Sequence, residues 1–91
     1  MTPKQILFRI NDTQVTNGLW DSVQHSGETE FLWLKNHTKG IELNVASSYC
    51  GTKASIYTTP RNSQNEIMVD LTTAAVNRGI RKMYAKISAR H

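Results

Sequence analysis

Residues 71–91 constrain the fold more tightly than any other stretch. At about 100° per residue, Val76, Ile80, Met83, Tyr84 and Ile87 fall within one arc of roughly 100°. Apolar residues at this spacing define an amphipathic helix, whose stripe must be buried against another layer. Asp70, Thr72 or Thr73 can supply the side-chain oxygen that caps its first turn. Gly79 costs about 1 kcal/mol relative to alanine inside a helix. It is expected either to let the helix approach a sheet closely or to mark a kink.

The opposite arc carries Arg78, Arg81, Lys82 and Lys86, and with Arg90 the segment holds five cations and no Asp or Glu. Residues 1–70 carry the other six basic residues, Lys4, Arg9, Lys35, Lys39, Lys53 and Arg61, against all seven acids. The body of the chain stands at −1 and the final segment at +5, which together make the formal +4. Cations near a helix C-terminus complement the macrodipole. Five without an interspersed acid exceed that need, because acids would otherwise supply i, i+4 pairs. A solvated face is the plain reading of this helix, and a phosphate-contacting face the sharper one.

Upstream, residues 5–10 alternate, with Ile6, Phe8 and Ile10 on one side and Leu7 and Arg9 on the other, which predicts a strand. Two readings compete over residues 17–26. Asn17-Gly18 is a hairpin signal that would make 19–25 a strand. Leu19, Trp20 and Val23 have helical spacing, and a short helix capped by Thr16 or Asn17 and closed by Gly27 is preferred. From residue 29 the pattern is a meander. Phe31-Leu32-Trp33-Leu34 is apolar on both faces, and residues 36–40 make a turn. Ile41, Leu43 and Val45 point inward from the next strand. Strands over 53–59 and 66–71 follow, separated by a polar loop at 60–65. The expected fold is α+β in a single domain, 1–91. It is an antiparallel sheet of 4–5 strands, mostly a meander, with the long C-terminal helix packed on one face.

Composition excludes several classes. The 38% hydrophobic content and mean hydropathy of −0.46 are those of a soluble globular domain, and no apolar run approaches a membrane span. Residues 6–8 are too short an apolar run for a secretory signal, so Asn11-Asp12-Thr13 and Asn36-His37-Thr38 read as chance glycosylation matches. A single cysteine, Cys50, forbids an internal disulfide framework and suits a reducing, cytoplasmic setting. Cys50 with His25, His37 and His91 lacks paired metal-ligand spacing, so no metal and no cofactor are expected. Glu28, Glu30, Glu42 and Glu66 are scattered singly. Without a Gly-rich phosphate loop or a nucleophile motif, the chain does not read as an enzyme.

Two binding readings remain. The first is a non-enzymatic nucleic-acid-binding module, acting as a homodimer. Arg78, Arg81, Lys82 and Lys86 would contact phosphates, with Lys35, Lys39, Lys53 and Arg61 extending the track. Phe31 and Trp33 share one strand face and, with Tyr57, would stack on bases if the terminal helix covers the leucine face instead. Otherwise these rings belong to the core. The second is a small protein-binding inhibitor or accessory protein, of the kind phages and mobile elements encode. Its basic face would dock on an acidic surface of a host protein.

Overall fold

The computed structural model describes residues 2–26, 30–48 and 51–89. Within them the chain runs α1 (Pro3–Thr16), β1 (Ser22–Ser26), β2 (Phe31–Asn36), β3 (Ile41–Ser47), β4 (Lys53–Thr58), a 3-10 turn (Ser63–Asn65), β5 (Glu66–Asp70) and α2 (Thr73–Ser88). The five strands form one antiparallel sheet in sequence order, so the fold is α+β as expected.

The predicted strand over 5–10 is instead the body of α1, for a local reason. Thr2 and Gln5 form a reciprocal capping box: the Gln5 N–H donates to Thr2 Oγ1 at 3.2 Å and the Thr2 N–H donates to Gln5 Oε1 at 3.0 Å. Pro3, whose missing N–H is no loss in a first turn, opens the helix. The buried stripe is Leu7, Ile10 and Gln14, a period the alternation of Ile6, Phe8 and Ile10 disguises; Phe8 is left 56% exposed.

The short helix near residues 17–26 is likewise corrected. Asn17 caps α1 with its N–H on the Thr13 carbonyl at 3.1 Å, and Gly18 follows at φ +76°, the left-handed stop that glycine tolerates. The Asn17-Gly18 pair therefore ends a helix and turns no hairpin. Residues 22–26 become the edge strand β1, with Val23 packed on the core.

Both helices cover one face of the sheet. Leu32, Val45, Ile56 and Ile67 make one cross-strand row on that face, with Leu34 and Leu43 beside it. Leu7 and Ile10 of α1 and Val76, Ile80, Met83 and Ile87 of α2 close over them. The Thr72 hydroxyl oxygen caps α2 by accepting the Ala75 N–H at 3.1 Å. Between the layers lies the buried side chain of Gln14. Gln14 Nε2 donates to Asn77 Oδ1 at 3.0 Å, while Gln14 Oε1 accepts Trp20 Nε1 at 2.7 Å and Asn17 Nδ2 at 2.8 Å. That one side chain ties α1, α2 and the α1–β1 connection together, and its satisfied hydrogen bonds are what make its burial tolerable.

Gly79 proves to be a point of close packing. A Cβ there would stand 2.6 Å from Ile56 Cδ1 and 3.4 Å from both Ile67 Cδ1 and Val69 Cγ1. Gly79→Ala sets a helix-propensity gain of about 1 kcal/mol against overpacking of about 1–3 kcal/mol. A net loss near 1 kcal/mol is expected in urea unfolding. In an Ile56→Val background the offending Cδ1 is gone, and the same substitution should become neutral or mildly stabilising.

Candidate binding surface

Alternation along the strands puts Phe31, Trp33 and Tyr57, with most of the polar strand residues, on the sheet face that the helices leave open. One row crosses all five strands there: Gln24, Trp33, Asn44, Tyr57 and Glu66. Phe31 stands next to Trp33, with ring centroids 4.5 Å apart and planes at 54°, and 6.4 Å from Tyr57. The three rings are half-buried on this face and lie outside the core cluster. Asn44 is buried between their strands, donating to the Tyr57 carbonyl at 3.3 Å and to Thr59 Oγ1 at 2.6 Å.

The cations of this face are already engaged. Lys35 pairs with Glu42 at 3.5 Å, Lys53 with Asp70, and Arg61 with Glu66 while lying over the Tyr57 ring at 4.3 Å. Hydrogen bonding from the Lys53 ammonium, reinforced by its charge, holds the Asp70 carboxyl below the usual carboxylate range. Lys39 sits apart, 5.5 Å over the Tyr84 ring of α2.

The helix side is electrostatically different. Arg78, Arg81 and Lys82 are exposed, and among the described residues none of them meets a carboxylate within ion-pair range. After the short turn following β5, α2 folds back along that strand. Ala75 lies by Asp70 at one end, and Lys86 donates to the Gln64 carbonyl at the other. Between helix and strand runs an open groove of about 430 Å³, walled by Arg78 and Lys82 on α2 and by Ile67, Met68 and Val69 on β5, with Gly79 beneath and Asp70, already paired with Lys53, at its end. Arg81 occupies the other flank of α2, beside Thr13, Asn17 and Asn77.

The structure thus brings Arg78, Lys82 and Lys86 together along β5, and Phe31, Trp33 and Tyr57 together on the opposite side of the sheet. It does not join the two sets into one track. Met68, 64% exposed at the middle of β5, was not among the expected site residues. Its sequence neighbours show only a strand; that the strand is a sheet edge emerges with the topology.

Other candidates disperse. Glu30 accepts from Ser47 Oγ at 2.6 Å, and Asp21 accepts the His37 N–H at 2.6 Å. His25 and Phe8 meet with their rings nearly perpendicular, and the buried His25 Nε2 has no hydrogen-bond partner among the described residues. Glu28, Cys50, Arg90 and His91 lie outside the described residues. Among the described residues no three His, Cys, Asp or Glu side chains are placed to hold a metal ion, and no helix is long and apolar enough to cross a membrane. Compared with known proteins, the chain matches no family model, no curated protein and no solved structure.

A pH dependence follows from the Lys53–Asp70 pair. A carboxyl depressed on folding stabilises the fold at pH above its unfolded value, and that contribution fades as pH falls through the lower folded value. Asp70→Asn should therefore lower the thermal midpoint slightly at neutral pH, and the gap to wild type should close as pH falls below the ordinary Asp value of 3.8 and through the lower folded value.

Proposed function

We propose that the protein is a non-enzymatic binding module that docks on an acidic surface of a partner protein through α2 and the adjoining edge of β5. One observation carries this reading: Arg78 and Lys82, without a carboxylate partner among the described residues, wall an open groove beside an exposed strand edge. A cytoplasmic setting, where a lone cysteine stays reduced, goes with it.

A nucleic-acid module remains the second reading, favoured by Arg81. That cation faces away from the groove and, with Arg78 and Lys82, spreads positive charge across the exposed side of α2. The footprint first expected for a nucleic acid combined phosphate contacts with stacking. A strand laid over α2 would meet none of Phe31, Trp33 and Tyr57, which lie across the sheet. Lys35, Lys53 and Arg61 would have to leave their carboxylates to take part.

The two readings separate in one pair of assays. Immobilised protein should retain an acidic protein from nuclease-treated lysate, and the Arg78→Glu, Lys82→Glu double variant should lose it at least about tenfold, mainly through a slower on-rate. Under the second reading nuclease abolishes retention. Fluorescent oligonucleotides then bind with a log–log salt slope of about −3 or steeper between ~50 and 200 mM salt.

A further inference from the structure

We infer that the partner adds an extended acidic segment to the free edge of β5, as a sixth strand seated beneath Arg78 and Lys82. This rests on the docking reading above and specifies its mode.

The Leu71 N–H donates to the Thr52 carbonyl at 3.0 Å, continuing the β4–β5 register by one pair. Residues of an antiparallel ladder alternate between bonding the neighbour and pointing away from it. Ile67 and Val69 therefore bond β4, while Glu66, Met68 and Asp70 turn their backbone groups outward. The same phase has residue 53 of β4 facing β3, and the Ser48 N–H does donate to the Lys53 carbonyl, at 2.7 Å. The Asp70 carbonyl is taken by the Thr72 N–H at 2.9 Å. What remains at the edge, among the described residues, is both groups of Glu66 and of Met68 and the Asp70 N–H, in the order a further strand bonds.

The wall of the groove matches such a strand in spacing and charge. Arg78 and Lys82 are one i, i+4 step apart, about 6 Å along the helix. Alternate residues of a strand stand about 6.7 Å apart on one face. Two carboxylates at alternate positions, directed to the helix side, would each reach one of these cations. The residue between them would point to the open face, beside Met68, whose exposure calls for an apolar neighbour. The segment so described is acidic, apolar, acidic. Gly79 keeps the floor of the groove free of a side chain.

A second copy of the chain fits worse. Pairing two β5 strands about a dyad at Met68 would set Glu66 against Asp70 and bring the unpaired Arg78 and Lys82 of both copies toward each other. Like charges opposed across an interface weigh against it.

The test uses the full chain, isotope-labelled, and a capped synthetic peptide alternating glutamate with valine, with its glutamine counterpart as control. At saturation the Met68 and Asp70 amides should exchange with solvent about tenfold more slowly, as newly bonded edge amides do. The glutamine peptide should bind at least about tenfold more weakly. Met68→Pro removes one outward N–H without touching the β4 ladder, and should cost a comparable factor while circular dichroism and unfolding stay close to wild type. Suppose the peptide binds, Arg78→Glu with Lys82→Glu abolishes binding, and yet Met68→Pro and the edge amides are unaffected. Strand addition is then overturned and the docking reading stands. Failure of the glutamate peptide to bind at ~1 mM overturns the inference, as does self-association of the free protein that Met68→Pro abolishes.

Discussion

The close seating of α2 on the sheet at Gly79 is the constraint from which the rest of the surface follows. With no side chain at that position, the helix comes down until its backbone nearly touches Ile56, Ile67 and Val69. Val76, Ile80, Met83 and Ile87 then reach the inner sheet face. The approach also sets α2 alongside β5, so that Arg78, Lys82 and Lys86 follow a strand edge instead of projecting from the middle of the molecule. A larger residue would lift the helix and open the same core that Gln14 ties together from the α1 side.

Charge is segregated by this arrangement in a way net composition does not reveal. The acids fall mainly on strands and turns, where they meet Lys35, Lys53 and Arg61. Exposed pairs of this kind contribute little to stability, but they leave the aromatic face close to neutral. The cations of α2 have no such partners among the described residues, and the helix side is left positive. An aromatic face without free cations and a basic face without those aromatics are two surfaces, suited to different contacts.

Much of this was legible in the chain. The α2 stripe is long, strongly periodic and capped by threonine, and Ile41, Leu43 and Val45 alternate against polar neighbours. Both signals survive without tertiary information. The first quarter was not legible, because its signals conflict. Gln14 occupies a core position of α1, so an apolar count loses the helical period, while Ile6, Phe8 and Ile10 imitate a strand. The Thr2-Pro3-Lys4-Gln5 box was the available corrective. β1 has Val23 as its one aliphatic side chain, too little to stand out against a polar loop. For the candidate surface, the sequence shows that α2 carries cations without acids and makes the placement of Phe31 and Trp33 conditional on which face the helix covers. It could not show the groove, because which strand forms the edge depends on the order of the whole sheet.

The most direct test of the charge segregation requires no partner. Backbone amide relaxation is measured in the presence of an anionic paramagnetic chelate and, separately, a neutral one. Excess relaxation by the anion is expected at Arg78, Arg81 and Lys82 and along Met68–Asp70, with none at Trp33, Asn44 and Tyr57, and with attenuation by salt over a Debye length near 10 Å at ~0.1 M. Equal enrichment on both faces, or a greater one over the aromatic rings, would contradict it.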